Sequence, residues 1–155
     1  MMPLNTPEDY DQLGDHLRQV DAPLMAFAAK HGYIVCPRHL GGRYPNRRIL
    51  QEGVVNRSII ISMDEKPDGQ RYDRFFPDIP YTIGSAAWID DFEQLKRWHA
   101  PFIALRGLPF STLLLTLQLQ LDHFHRYLFS ITEEYIRACA RTSVLSPPQP
   151  DFQQR

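Results

Sequence analysis

Several features that would point directly to a function are scarce or missing in this chain of 155 residues. Its two cysteines, Cys36 and Cys139, lie far apart and in no paired spacing, which argues against a disulfide framework and fits free thiols in a reducing cytoplasm. No run approaches the roughly 18 apolar residues of a membrane span, and no charged segment followed by an apolar core opens the chain. We therefore expect a cytoplasmic protein with no membrane anchor.

A surplus of charge and a recognisable catalytic motif are missing as well. The formal net charge of -1 argues against a general nucleic-acid coat protein, which needs surplus lysine and arginine. The chain has no glycine-rich phosphate loop and no dinucleotide fingerprint. Gly84-Ser85-Ala86 lacks the second glycine of a nucleophile elbow, so we expect a bulge or a close backbone contact in a strand there. These absences favour a binding protein over an enzyme and predict no cofactor.

Histidine and cysteine offer only weak candidates for a metal site. His31, Cys36 and His39 supply three donors, but no fourth ligand lies near them, and structural zinc sites use four. His123 and His125 would share one side in a strand, whereas residues two apart on a helix face about 200° apart. We therefore predict no metal site.

Apolar residues at alternating steps of three and four predict a helical N-terminal region. Thr6-Pro7 is a good start, with a hydroxyl at the cap and proline at the first helical position, and Gly32 is a natural stop. The buried stripe continues through Pro23, which removes a backbone hydrogen bond inside a helix. We therefore expect a kink or restart near Asp21, and hence a pair of N-terminal helices. The stripe consists of Tyr10, Leu13, Leu17, Val20, Leu24 and Phe27.

The same spacing recurs over residues 108–141 and predicts a long C-terminal helix. Its stripe is formed by Leu114, Leu117, Leu121, Phe124, Leu128, Ile131, Tyr135 and Ala138. Leu115 and Leu119 lie opposite this stripe, which predicts that the first turns are buried all round. Ser130 with Glu133 offers a second helix cap, so a break near Phe129 stays open.

The middle of the chain is typical of an antiparallel meander. Candidate strands cover residues 33–36, 48–51, 55–63, 70–76, 81–89 and 102–105. Asp90 followed by Glu93 predicts a short helix through Trp98. The predicted fold is α+β, with an antiparallel sheet of about five strands packed against the long C-terminal helix and the N-terminal helix pair. We expect residues 1–142 to form a single domain and residues 143–155 to be a disordered proline-rich tail.

Charge is distributed most unevenly between Asp21 and Glu52, where no acidic residue occurs. The arginines of this stretch fall mainly in a loop rich in glycine and proline, over residues 36–48. Guanidinium groups bind carboxylates and phosphates through paired hydrogen bonds, and Gly41-Gly42 allows close backbone approach. The predicted binding residues are those of this loop together with two aromatic residues of a proline-rich connection: Arg38, His39, Arg43, Tyr44, Arg47, Arg48, Phe75 and Phe76.

Two functions fit this basic loop. The first is a cytoplasmic interaction protein, of the class that includes inhibitors and immunity proteins, whose loop holds an acidic protein partner. The alternative is a small-molecule or phosphoanion site, enzymatic or not, in which the same arginines clamp the ligand and His39 or Cys36 supplies proton or nucleophile chemistry. Arginines that converge on a concave pocket favour the ligand site, whereas arginines spread over a flat rim favour a macromolecular surface. The sequence disfavours nucleic acid as a partner and leaves the oligomeric state open.

Overall fold

The computed structural model describes Leu4 and residues 6–36, 46–70 and 72–142. These residues form an α+β fold with an antiparallel sheet, as predicted. Most of the basic loop, at 37–45, and the expected tail, at 143–155, lie outside the described residues. The elements, in chain order, are α1 (Pro7–His31), β1 (Ile34–Val35), β2 (Asn46–Gln51), β3 (Asn56–Met63), β4 (Pro80–Asp91), β5 (Lys96–His99), β6 (Ile103–Pro109), α2 (Phe110–Ser130) and α3 (Glu133–Thr142).

Strand β4 is the centre of the six-stranded sheet. The strands follow the order β1-β2-β3-β4-β5, and every pairing is antiparallel. The first part of β4 also pairs with β6, from Pro80 opposite Pro109 to Ser85 opposite Ile103. One side of β4 therefore carries β3, and the other side carries β6 and then β5.

The N-terminal region is a single helix, so the predicted helix pair was wrong. The Thr6 hydroxyl accepts a hydrogen bond from the Asp9 backbone N–H at 3.2 Å, and Gly32 ends the helix in the left-handed conformation with φ 78°. Pro23 lies inside α1. The stripe from Leu13 to Leu24 is buried without interruption, and this burial compensates for the backbone hydrogen bond that proline cannot make.

The C-terminal region divides into two helices at Ile131 and Thr132, close to the break left open by the sequence. The hydroxyl of Thr132, and not that of Ser130, accepts a hydrogen bond from the backbone N–H of Tyr135 at 3.1 Å. Leu121 is completely buried, as the periodicity predicts, whereas Leu115 and Leu119 are 86% and 65% exposed. The predicted all-round burial was therefore wrong.

The expected short helix after Asp90 was also wrong, because β4 and β5 form a hairpin through residues 92–95. The carboxylate of Asp91 accepts hydrogen bonds from the backbone N–H groups of Glu93 and Gln94, at 3.1 Å each. The acidic residue that resembles a helix cap therefore fixes a turn. The expected strand at 70–76 is irregular in its described residues.

One core joins the helices to one face of the sheet. Ile59 and Ile61 of β3 and Ile83 of β4 are buried there together with Leu117 and Leu121 of α2. Successive side chains of a strand point to opposite faces. The opposite face of the same strands therefore carries a second set of side chains, and those buried outside this core include Arg48, Ser58, Ile60, Ala86 and Trp88. Within the described segments, no helix is both long and apolar enough to cross a membrane.

Candidate functional site

The residues predicted to bind a partner are separated in the structure. Arg38, His39, Arg43 and Tyr44 lie outside the described residues, so their role stays a prediction. Arg47 is placed differently from the expectation: it belongs to β2 and is fully buried.

The partners of Arg47 explain why its side chain points inward. Its Nε donates to Oδ1 of Asp21 at 2.6 Å, and Nη1 donates to the backbone oxygen of Asn46 at 3.0 Å. A buried guanidinium requires such partners, because removal from water is costly for a charge. Arg47 therefore links β2 to α1 and is closed to an external partner in this structure.

Arg48 lies on the opposite face, because it follows Arg47 directly in the strand. It is 5% exposed, and its Nε donates to the hydroxyl of Ser58 at 3.0 Å. Its guanidinium carbon is 5.9 Å from the centre of the Trp88 ring. Of the described arginines in the basic stretch, Arg48 is the one that lines a cleft.

Phe75 and Phe76 belong to a different part of the molecule. The Phe75 backbone N–H donates to Oδ1 of Asp9 at 3.0 Å, and its ring meets the ring of His16 edge to face, with the centroids 4.5 Å apart. Phe75 packs against the helical core, and Phe76 lies beside Tyr72 and is 39% exposed. The structure therefore does not unite Phe75 with Arg48 in one site.

The cleft lined by Arg48 has a volume of about 780 Å³. Its floor is the face of the sheet that carries Arg48 and Trp88, and Arg137 of α3 lines it as well. Val54, before β3, and Phe92, after β4, are also among its lining residues. The cleft thus draws residues from three separate regions of the chain, at 48–56, 88–97 and 133–137.

Charged groups in the cleft are largely paired with each other. Nε of Arg97 donates to Oδ1 of Asp90 at 2.8 Å, and its guanidinium carbon lies 5.2 Å from the centre of the Trp88 ring. Arg137 pairs with Glu133 at 2.9 Å, because residues four apart lie on the same face of a helix. Trp88 therefore lies between two guanidinium groups, an arrangement stabilised by cation–π attraction.

Several large apolar side chains beside this cleft are exposed to solvent. Val54 is 70% exposed, Phe92 is 82% exposed and Leu95, in the same turn as Phe92, is 88% exposed. We call these three residues the apolar rim. The turn is held by the carboxylate of Asp91, whose pKa is lowered chiefly by the hydrogen bond from the Gln94 backbone. Leu95 has a φ of 53°, a conformation that residues other than glycine seldom adopt.

The weaker chemical candidates have clear structural placements. Ser85 is fully buried in β4, and a side chain on Gly84 would approach the Phe102 ring to 2.8 Å. The predicted close contact at this glycine is therefore confirmed. Within the described residues, no group of three or more histidine, cysteine or acidic side chains is arranged to hold a metal ion.

A contact between two histidines was not found from the sequence. The rings of His31 and His125 lie 4.2 Å apart, and Nδ1 of His125 is 3.0 Å from the hydroxyl of Tyr33. Burial raises the pKa of Tyr33 to about 12, so this hydroxyl is protonated at neutral pH, and the tautomer of His125 sets which of the two groups donates. No sequence spacing could indicate this pair, because α1 and α2 are far apart in the chain.

Comparisons with known proteins identify no relative: no protein-family model, curated protein or solved structure matches this chain. Its class is therefore defined by the fold and the site alone. It is an α+β protein with a six-stranded antiparallel sheet and a charged cleft beside an apolar rim.

Proposed function

We propose that the protein is a binding protein that recognises another protein through the apolar rim and the adjoining cleft. The exposure of Val54, Phe92 and Leu95 is the observation that carries this proposal. Single exposed apolar residues are common on protein surfaces, but a group of large ones beside a cleft is typical of an interaction site. Burying these three side chains against a partner would remove an unfavourable contact with water.

The surroundings of the rim support the same function. Protein interfaces are enriched in aromatic residues and arginine, and Phe92 lines the cleft together with Trp88, Arg97 and Arg137. The hydrogen bonds that the Asp91 carboxylate accepts from the backbone fix the turn that carries Phe92 and Leu95. A turn ordered before binding loses less conformational entropy when the complex forms.

A second candidate function is a small-molecule site in the cleft. Arg48, Arg97 and Arg137 come from three different elements and converge on one concave space, which is the arrangement expected of a ligand site. The volume of about 780 Å³ is within the usual range for ligand pockets. The acidic protein partner and the anionic ligand predicted for the basic loop stay proposals, as does the cytoplasmic location.

Affinity capture from the source cells can test the leading proposal. The bait is either the wild-type chain or a Phe92→Ser/Leu95→Ser variant, each checked for folding by circular dichroism. Leu115→Ser/Leu119→Ser is the matched control, because it changes two exposed apolar residues on α2. We expect specific partners that are lost with the rim variant and retained with the control. Equal recovery with all three baits, or loss with the control alone, would show that the rim is not the binding surface.

A further inference from the structure

We infer that the segment recognised by the apolar rim is basic, with lysine or arginine side chains next to apolar ones. This inference rests on the proposed function and names the chemistry of the partner. The evidence is the charge of the three segments that surround the cleft, at residues 52–56, 90–97 and 133–137, each of which contributes lining residues.

These three segments carry twice as many carboxylates as cations. They contain six acidic side chains and three basic ones, and Arg48 in the floor of the cleft adds a fourth cation. The acidic residues are Glu52, Asp90, Asp91, Glu93, Glu133 and Glu134, and the basic ones are Lys96, Arg97 and Arg137. This end of the molecule is therefore negative, although the whole chain is nearly neutral.

The ion pairs within these segments leave the excess negative charge at the protein surface. Arg97 is paired with Asp90, and Arg137 is paired with Glu133. Glu52 lines the cleft and Glu93 lies in the turn of the rim; both are exposed, and neither carboxylate has a partner among the described residues. Lys96 is the cation nearest to Glu93 in sequence, and its ammonium lies 5.4 Å from the centre of the Trp98 ring.

The unpaired carboxylates determine which charge the bound segment of the partner must carry. An acidic segment that placed apolar side chains on Phe92 and Leu95 would bring its charges towards Glu52 and Glu93, and like charges in an interface are unfavourable. A basic segment would form ion pairs with both carboxylates while its apolar side chains covered the rim. Arg47 and Arg48, the two described arginines of the basic stretch that was predicted to hold an acidic partner, are both buried.

The test uses two synthetic amphipathic helical peptides of about 14 residues, or four turns. Both present leucine and phenylalanine along one face; the other face is lysine in one peptide and glutamate in the second. Binding is measured by isothermal titration calorimetry with the full chain at about 50 and about 200 mM salt. The protein variants are Glu52→Gln/Glu93→Gln, Phe92→Ser/Leu95→Ser and, as a charge-matched control far from the cleft, Glu8→Gln/Glu65→Gln.

We expect the lysine peptide to bind and the glutamate peptide to bind at least tenfold more weakly. An exposed ion pair contributes a factor of about two to five, so Glu52→Gln/Glu93→Gln should weaken binding of the lysine peptide about tenfold, and the control should not change it. Higher salt should also weaken this binding. The inference is overturned if the lysine peptide does not bind at concentrations up to about 1 mM. It is also overturned if the affinity for this peptide is the same in the wild type and the Glu52→Gln/Glu93→Gln variant.

The two proposals fail in different ways. If the glutamate peptide binds more tightly and requires Phe92 and Leu95, the rim is an interaction surface but its partner is acidic, so the inference alone is overturned. If the lysine peptide binds equally to the wild type and the Phe92→Ser/Leu95→Ser variant, the carboxylates act without the rim, which overturns the inference and contradicts the proposed function. Capture of rim-dependent partners tests the proposed function independently of either peptide.

Discussion

The Nε of Arg47 lies 2.6 Å from Oδ1 of Asp21, and this ion pair joins the second strand to the middle of the first helix. The arginine side chain is completely buried, and the aspartate side chain is 11% exposed. Asp21 is also the residue that begins the acid-free stretch of the sequence. The uneven charge distribution therefore marks, in part, an internal ion pair.

Removal of one member of this pair should be strongly destabilising. We expect Arg47→Ala to lower the free energy of unfolding by about 3–5 kcal/mol, because it leaves the Asp21 carboxylate without its guanidinium. Urea unfolding measures the change. Arg18→Ala is the control on the same helix: Arg18 pairs with Asp15, their side chains are 55% and 67% exposed, and its loss should cost less than about 1 kcal/mol.

A double replacement separates the effect of losing the charges from the effect of losing side-chain volume. Arg47→Met/Asp21→Leu removes both charges and keeps much of the volume, so it should be more stable than Arg47→Ala. A similar small loss for Arg47→Ala and Arg18→Ala would show that the Arg47 pair is exposed to water in solution.

The C-terminal stripe can be tested by placing a charge on either side of α2. Leu121 is completely buried, so Leu121→Asp should abolish soluble folding by burying an unpaired carboxylate. Leu119→Asp is the matched control, because Leu119 is 65% exposed on the same helix. Solubility and melting temperature are the measurements. A soluble Leu121→Asp protein with an unchanged melting temperature would contradict the position of this helix.

Arg57 fixes the end of α2 from a neighbouring strand. Its Nε donates to the backbone oxygen of Leu128 at 3.0 Å and Nη2 donates to that of Ile131 at 3.2 Å, while its guanidinium carbon lies 4.4 Å from the centre of the Phe129 ring. Arg57→Ala should cost about 2 kcal/mol, because charged hydrogen bonds to a helix C-terminus are lost.

Hydrogen exchange can localise this effect. We expect faster amide exchange around the junction of α2 and α3 in the Arg57→Ala variant than in the wild type. Arg126→Ala changes an exposed arginine of the same helix and should alter stability by less than about 0.5 kcal/mol. Equal exchange in the two variants would argue against a capping role for Arg57.

Stability should decrease in mild acid because three imidazoles are held in their neutral form. Burial lowers the pKa of His16, His99 and His125, and the nearby His31 lowers that of His125 further. The unfolded chain therefore binds more protons than the folded one. Their contribution to the free energy of unfolding is complete above the ordinary imidazole value of about 6.5 and is lost as the pH falls below it.

Urea midpoints between about pH 7.5 and about pH 5 measure this effect. The pKa values of Asp9, Asp78 and Asp91 are lowered by hydrogen bonds, so their contributions are lost only below about pH 4 and do not overlap this window. His125→Gln should reduce the acid dependence, and His123→Gln, at an exposed position of α2, is the control. A flat profile from pH 7.5 to 5 in the wild type would contradict the prediction.

The sequence predicted buried stripes better than it predicted surfaces. Leu17 and Leu121 are buried because an apolar stripe with helical spacing needs one partner, and the sheet provides it. Leu115 and Leu119 were misjudged because burial of a second side requires another element, which local spacing cannot indicate. Asp90 and Glu93 resemble a helix cap in sequence, but pairing of Ile89 with Trp98 outweighs that local preference.

The candidate site could be predicted only in part, because its residues come from separate regions. The basic stretch led to Arg48, which lines the cleft. Its neighbour Arg47 was misplaced because alternation along a strand sends adjacent side chains to opposite faces, and the predicted strand began at Arg48 instead of Asn46. Phe92 and Arg137 were missed because their approach to Arg48 depends on the hairpin and on α3.

The position of β4 has a consequence for how the protein folds. This strand bonds to β3 along one side and shares its other side between β6 and β5. The hairpin with β5 closes a short loop of chain, whereas the pairing of Pro80 with Pro109 encloses the whole hairpin, so we expect this longer closure to form later. Since α2 begins at Phe110, immediately after that pairing, we expect this helix to dock after the slower contact has formed, which ties its assembly to the completion of one edge of β4.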